Sequence, residues 1–330
     1  MCFIEHIIKV AFFKKNIMKN LFTSLILLLF VTAGFAQQET HFTQFMYNKL
    51  QINPAYAGAR GHGSFTGIFR QQWAGFDGAP RTALLSFDTP LLGDRIGLGF
   101  TFSNYTIGVE NTYNVTGAYA YNIKISKEAS FRFGIQGNLR HQAIDFSDPS
   151  VVIRQNNDNS INENETVNQT TGNFGIGLYL TYKQLYFGAS VPFFFPNEIG
   201  INTITATTAE QTSHFYLMAG TLVPISKKVD IKPSFLLKYV NNAPIDLDFN
   251  LSFVYDRRVT AGVSVRHGGD DILESIDFLA MYQVNSLGIG VAYDFGLTEL
   301  NSSNSGSYEV LLRYDLIKER ADIANPRFFF

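Results

Sequence analysis

Hydrophobic and polar side chains alternate along most of this chain. Ile96, Leu98 and Phe100 begin one of many runs in which every second residue is apolar and the residues between are mainly Gly, Thr, Ser, Asn or Ala. A period of two is typical of β-strands whose two faces meet different surroundings. The pattern predicts fourteen strands, at 64–73, 81–88, 96–103, 113–125, 131–140, 173–183, 185–192, 214–225, 229–240, 245–255, 258–267, 275–284, 287–296 and 307–317.

The connections between the predicted strands sort by length. Tight links at 89–94, 126–129, 183–184, 226–228, 256–257 and 285–286 alternate with longer ones at 74–80, 104–111, 146–172, 193–213, 268–274 and 297–306, with 241–244 as the exception. An even number of strands, with short turns at one end and longer loops at the other, is typical of outer-membrane β-barrels. We therefore expect short periplasmic turns, and both termini on the periplasmic side.

One face of the strands is too apolar for a surface in water. Phe, Leu, Ile, Val and Tyr occupy it, whereas the opposite face is small or polar and carries scattered charges. The charged positions are Lys124, Arg132, Arg140, Lys232, Lys238, Asp246, Asp248, Glu309, Arg313 and Asp315. Because sheet edges cannot remain open in hydrocarbon, the sheet must close on itself. The predicted fold class is all-β, a transmembrane antiparallel β-barrel of about 14 strands over residues 64–317, multi-pass in the outer membrane.

The start of the chain is typical of a secretory signal peptide. Lys19 precedes an apolar run at 21–31, and small residues lead to an expected cleavage after Ala36. The run is shorter than the ~20 residues that a membrane-spanning helix needs. Residues 1–17 precede a second methionine, Met18, and are consistent with an over-long gene start. Cleavage would remove Cys2, the only cysteine, so no disulfide is expected in the mature chain.

Composition narrows the function classes. The chain has 31 Phe, 16 Tyr and 27 Gly among 330 residues, with 16% charged residues and a net charge of −2. Loss of the leader removes four lysines and one glutamate and leaves a net charge of −5. Without a basic surplus to neutralise phosphates, a nucleic-acid partner is excluded.

Candidate chemistry is sparse. Gly97-x-Gly99 and Gly288-x-Gly290 resemble fragments of a dinucleotide loop, but they lie inside predicted strands with no helix after them. The histidines are scattered without ligand spacing, and no serine has the context of a nucleophile elbow. The sequence therefore predicts no enzyme, catalytic residue, metal site or cofactor.

Two short regions flank the predicted barrel. Residues 37–63 are aromatic and rich in Asn and Gln, which suits a segment that plugs the lumen or seals its periplasmic mouth. An ordered entry strand that ends in a turn at Asn53-Pro54 explains the same residues equally well. Residues 318–330 are expected to form a C-terminal tail.

A set of residues from these regions resembles a known family. The residues are Gln44-Phe45-Met46-Tyr47-Asn48, Asn53-Pro54-Ala55-Tyr56-Ala57-Gly58, Arg70-x-Gln72-Trp73, Pro80, Asp88-x-Pro90 and Asn325-Pro326-Arg327-Phe328. Their order is similar to that in the PorP/SprF family of type IX secretion system membrane proteins. Lys49 and Phe69 depart from the residues that are common in the family. The resemblance gives the candidate structural or partner-binding positions Gln44, Tyr47, Asn53, Pro54, Ala55, Gly58, Arg70, Gln72, Trp73, Pro80, Asp88, Pro90, Pro326 and Arg327.

The resemblance implies an outer-membrane protein that works with type IX secretion components and is not an enzyme. The resemblance implies two kinds of role: some members of the family serve one large secreted surface protein, such as a gliding adhesin, and others are general components linked to periplasmic, peptidoglycan-associated partners. We therefore expect a barrel that assists export or surface anchoring and holds a cargo's C-terminal domain through loops 146–172 and 193–213. The polar lumen face leaves a porin or a hydrophobic-solute channel as the alternative.

Overall fold

A computed structural model describes residues 41–151, 166–199, 209–241, 243–268, 271–298 and 304–317. These residues belong to one compact unit, Ala36–Phe330. The expected signal peptide 1–36 and tail 318–330, with Pro326 and Arg327, lie outside the described residues. None of the helices in the described residues is a candidate membrane span.

The described chain is built from antiparallel strands that follow three short 3-10 helices. The helices are Phe45–Tyr47, Lys49–Gln51 and Pro54–Tyr56. The strands are β1 (Gly63–Gln71), β2 (Arg81–Leu91), β3 (Ile96–Ile107), β4 (Glu110–Lys124), β5 (Ala129–Asp145), β6 (Thr166–Tyr182), β7 (Leu185–Val191), β8 (Asn197–Ile199), β9 (Ala209–Gln211), β10 (His214–Thr221), β11 (Val223–Pro224), β12 (Val229–Val240), β13 (Asp246–Tyr255), β14 (Val259–Gly268), β15 (Asp271–Val284), β16 (Leu287–Gly296) and β17 (Ser307–Leu316).

The sheet closes into a barrel of fourteen strands. The wall strands are β1–β7, β10 and β12–β17. Each pairs with the wall strands that precede and follow it in the chain, so β7 pairs with β10 and β10 pairs with β12. The first and last strands close the ring in a continuous register from Gly63↔Leu316 to Gln71↔Tyr308. The two-residue β11 extends the sheet beside β12, and β8 with β9 forms a separate small hairpin. The predicted fold class and strand number are confirmed.

The two faces of the wall differ as the alternation predicts. On β13, Phe249 and Phe253 are 51% and 50% exposed on the outside, whereas Asn250 and Ser252 are fully buried inside. Exposed apolar and buried polar side chains alternate in the same way on the other wall strands, so aromatic and aliphatic side chains form the outer surface. An apolar exterior around a polar interior is the arrangement of a barrel that lies in lipid.

Two predicted long links are wrong. Residues 104–111 reduce to a two-residue turn between β3 and β4, and β15 begins at Asp271, directly after the short stretch that follows β14. The strands also continue through part of 146–172, since β6 begins at Thr166. The predicted strands end where the apolar alternation ends. Backbone hydrogen bonding between strands continues through polar residues, as in the pair Tyr105↔Thr112. Long links remain at 72–80, 146–165, 192–213 and 297–306.

An arginine on the lipid-facing surface should destabilise the barrel. Phe249→Arg places a guanidinium at mid-strand on the outer face of β13, and we expect a loss of about 2–4 kcal/mol in the free energy of unfolding. Urea-unfolding midpoints in lipid vesicles measure it. The matched control is Leu92→Arg in the β2–β3 turn, whose side chain is 74% exposed beyond the strands. Equal losses at the two positions would contradict the assignment of the lipid-facing band.

Candidate functional site

Residues 41–61, here named the lumen segment, lie inside the barrel. Most of their side chains are buried, among them Phe45, Met46, Leu50 and Ala55 at 4% exposed or less. The segment contains 3-10 helices and no strand, which departs from the entry-strand interpretation. Asn53 begins the third helix as its cap: its side-chain oxygen accepts a hydrogen bond from the Ala55 backbone N–H, and Pro54 occupies the first helical position.

The lumen segment runs the length of the barrel. At one end Lys238 Nζ contacts His41 Nδ1 at 2.5 Å, and His41 Nε2 lies 3.6 Å from Asp246, the first residue of β13. This is the end that carries the long loops. At the other end, the segment leads into β1 at Gly63, where the tight turns lie. The segment therefore crosses the lumen from the long-loop end to the tight-turn end.

Glycines on the inner face let the segment approach the wall. A side-chain carbon on Gly97 would overlap the Ala57 carbonyl, and one on Gly134 would overlap the Ala55 backbone N and the Pro54 carbonyl carbon. On Gly188 it would lie 2.9 Å from Asn53 Nδ2. Contact of backbone against backbone leaves no room for even a methyl group. The Gly97-x-Gly99 and Gly288-x-Gly290 patterns are therefore packing features of strands β3 and β16.

A buried ionic cluster holds the beginning of the segment. The Glu309 carboxylate accepts hydrogen bonds from the backbone N–H groups of Thr43 and Gln44, each at 3.0 Å. Arg70 Nη1 lies 3.4 Å from Glu309 and Arg70 Nη2 lies 2.6 Å from Asp294. The Thr43 hydroxyl donates to Asp294 at 2.5 Å. Arg70 and Glu309 face each other across β1 and β17, so this cluster joins the segment to the strand pair that closes the barrel.

Two further sets of contacts hold the middle and the end. In the middle, Asn53 Nδ2 donates to the Leu178 carbonyl at 2.9 Å, and the Ser190 hydroxyl donates to the Ile52 carbonyl at 2.8 Å. At the end, the Gly58 N–H donates to Asp88 at 2.9 Å. Gly58 has a φ of +66°, which favours glycine there. Nearby, Arg60 pairs with Asp315 at 3.3 Å and Arg132 Nη1 donates to the Ala57 carbonyl at 3.0 Å.

Lys49 is buried among aromatic rings and other cations. Its Nζ lies 4.2 Å from the ring centre of Tyr186 and 5.2 Å from that of Tyr56. Lys232, Arg60 and Arg313 are the other cations near Lys49. Ring faces stabilise a desolvated ammonium by cation–π attraction. The residue that departs from the family pattern is therefore part of the packing between the segment and β7.

The structure brings most of the predicted site residues together. Nine lie in the lumen segment or on the wall strands around it: Gln44, Tyr47, Asn53, Pro54, Ala55, Gly58, Arg70, Asp88 and Pro90. The other three described positions organise the β1–β2 loop. The Gln72 N–H donates to the Pro80 carbonyl at 2.9 Å, and the Trp73 N–H donates to the Ser307 hydroxyl at 3.2 Å. The motif therefore marks the contact between the lumen segment and the barrel, together with one loop.

Several residues of this contact were not singled out from the sequence as site residues. From the sequence, Glu309 and Asp315 are only charged positions of the inner face, and no motif includes Asp294. Glycines at inward-facing strand positions are the sequence signal for this contact. A larger residue would fit there unless another part of the chain packs against the inner wall. Within the described residues, no group of three or more His, Cys, Asp or Glu could hold a metal ion. The arrangement suits a fixed internal polypeptide.

Comparison with solved structures finds matches at low sequence identity. The chain is similar to the TodX ΔS2S3 mutant monoaromatic hydrocarbon channel, at 11% identity over 84% of this chain and 94% of that chain, with a TM-score of 0.49. It is similar to a Pseudomonas aeruginosa FadL homologue, at 10% identity over 83% of this chain and 94% of that chain, with a TM-score of 0.46. It is also similar to the KdgM porin, at 9% identity over 76% of this chain and 98% of that chain, with a TM-score of 0.36.

The family comparison covers most of the chain. No curated protein matches the sequence. The model of the family described as type IX secretion system membrane protein PorP/SprF matches residues 34–314, which include the lumen segment and nearly the whole barrel wall. The chain belongs to the PorP/SprF family of type IX secretion system membrane proteins of the outer membrane.

Proposed function

We propose that this protein is a closed barrel that assists export or surface anchoring of a type IX cargo, such as a gliding adhesin, and that its external loops bind the cargo's C-terminal domain. The observation that carries the proposal is the lumen segment. It occupies the interior from end to end and is bound by buried ion pairs and backbone hydrogen bonds. A barrel filled in this way is suited to presenting a surface, and less to passing solutes.

The longest strands support a binding surface on one side of the barrel. β5 and β6 have 17 residues each and pair as far as Asp145↔Thr166, whereas β13 and β14 have 10 residues each. At ~3.3 Å per residue, the hairpin extends roughly 20 Å beyond the shorter strands. Short turns of outer-membrane barrels face the periplasm, so this hairpin projects on the cell exterior. It begins the loop 146–172 that was predicted to hold cargo.

The second predicted loop starts beside the first. The Asn173 side chain on β6 accepts hydrogen bonds from the N–H groups of Phe194 and Phe195, both at 3.0 Å. The two phenylalanine rings meet edge to face at 5.5 Å and are 52% and 51% exposed. Aromatic side chains, phenylalanine among them, are enriched in the buried centres of protein interfaces. The pair lies where the loops 146–172 and 193–213 meet.

Deletion of the gene followed by a census of surface and secreted proteins tests the proposal. We expect loss of at least one large surface protein, and we expect the double variant Phe194→Ser with Phe195→Ser to reproduce much of that loss. Phe76→Ser is the matched control, because Phe76 is 54% exposed in the loop after β1. Unchanged surface proteins in the deletion strain would overturn the proposal.

A further inference from the structure

Exposed positive charge is concentrated at the tight-turn end of the barrel. Of the nine exposed Lys and Arg side chains in the described residues, eight lie there and only Arg81 lies at the long-loop end. The eight are Arg95, Lys124, Lys127, Lys183, Lys227, Lys228, Arg257 and Arg258. The acidic residues of the same turns are Asp94, Glu128 and Asp256. A chain with a negative net charge therefore has one strongly basic end.

Four of these cations form a patch on two adjacent turns. Lys227 and Lys228 lie in the turn before β12, and Arg257 and Arg258 lie in the turn between β13 and β14. The turns are joined by a 2.7 Å hydrogen bond from the Asp256 N–H to the Lys228 carbonyl. Asp256 is the only acidic residue of the two turns. These four residues are named the basic turn patch, and with Asp256 they leave three positive charges in excess.

Several cations in the other tight turns of the same end have local partners. Lys183 Nζ lies 3.7 Å from the Glu128 carboxylate, and Lys124 Nζ donates to the Gly93 carbonyl at 3.1 Å. Arg95 follows Asp94 directly in the β2–β3 turn. These turns, with Lys124 beside them, combine four cations with two acidic residues, whereas the basic turn patch combines four cations with one.

The patch lies next to the lipid-facing band. Ile225, Tyr255 and Val259 flank the two turns on the outer surface and are 59%, 54% and 44% exposed. At ~3.3 Å per residue, the four cations lie within about 10 Å of these side chains. Tyrosine is enriched where the hydrocarbon core meets the headgroups, and Lys and Arg reach from that level toward water. The patch is thus at headgroup height on the periplasmic side.

We propose that the basic turn patch binds the phosphate groups of anionic phospholipids in the periplasmic leaflet. Guanidinium and ammonium groups donate charge-assisted hydrogen bonds to phosphate oxygens, and arginine matches them with two parallel bonds. The adjoining apolar side chains favour a ligand that brings acyl chains with its phosphate. An acidic protein surface would satisfy the charge but would leave Ile225 and Val259 without a role, so the position favours lipid.

Native mass spectrometry of the detergent-purified full-length barrel tests the proposal. The probe is phosphatidylglycerol against phosphatidylcholine of the same chain length, added at equal concentration. We expect the wild-type barrel to retain phosphatidylglycerol preferentially. The triple variant Lys227→Gln, Lys228→Gln and Arg258→Gln should retain it at least tenfold less, because each cation near an anionic surface strengthens binding about fivefold. Arg257 is kept, since its backbone φ is +54° in the turn.

A second triple variant removes the same charge from the opposite side. Arg95→Gln, Lys124→Gln and Lys127→Gln should leave most phosphatidylglycerol retention intact, and heat-modifiable electrophoretic mobility checks that both variants fold. Equal retention of the two lipids by the wild type would overturn the proposal. Unchanged retention by the patch variant would also overturn it, as would a photo-crosslinker at Lys227 that captures a periplasmic protein and no lipid in cells.

Discussion

Replacing Gly134 with valine should convert the barrel from a closed to a conducting one. Gly134 lies on the inner face of β5, where a side chain would overlap the backbone of Pro54 and Ala55. The wall cannot retreat easily, because β5 is paired along its whole length with β4 and β6. The lumen segment must therefore move and open a polar path. In planar bilayers we expect the wild-type barrel to stay near baseline and Gly134→Val to give channel-sized steps of current.

The same strand provides the control. Gly137 faces outward three residues away, and a side chain there would meet nothing within 4 Å. Gly137→Val should fold and remain as closed as the wild type. A closed Gly134→Val variant would contradict the assignment of the lumen segment as the element that closes the barrel. Porin-like current through the wild type would instead favour the channel alternative over an accessory barrel.

Removing the Glu309 carboxylate should be among the most destabilising single changes in the chain. Glu309→Ala leaves the N–H groups of Thr43 and Gln44 without their acceptor and leaves Arg70 with one of its two carboxylate partners. Truncating one partner of a buried ion pair costs about 3–5 kcal/mol, since the remaining charge stays desolvated. Urea-unfolding midpoints in lipid vesicles should fall accordingly, and conductance should rise as the beginning of the segment loosens.

A surface ion pair supplies the comparison. Glu128 pairs with Lys183 at 3.7 Å, but both side chains are more than half exposed. Glu128→Ala should therefore change the free energy of unfolding by less than about 1 kcal/mol. Comparable losses for Glu309→Ala and Glu128→Ala would show that the buried cluster does not anchor the segment.

The sequence predicts the barrel wall better than it predicts the interior. Alternation such as Phe249, Asn250, Leu251 and Ser252 is enough to assign the two faces, because successive side chains of a strand point in opposite directions. Strand ends were less predictable. The ladder from Asn104↔Tyr113 to Ile107↔Glu110 depends on backbone pairing, and the apolar pattern does not record it.

The candidate site was found in part through the family motif. The resemblance pointed to Gln44, Asn53 and Gly58, and the structure places all three against the inner wall. It did not supply their partners. Thr43 and Glu309 are 266 residues apart in the chain, and no local pattern relates them.

The antiparallel barrel with a lipid-facing exterior follows from local sequence alone, because a period of two and an excess of aromatic side chains on one face are local properties. What fills the interior depends on contacts between distant parts of the chain. Ring closure brings β1 beside β17, aligns Arg70 with Glu309, and turns Gly97 and Gly134 toward the same enclosed polypeptide. Those contacts depend on closure of the whole ring, so they arise only when all fourteen strands are in register.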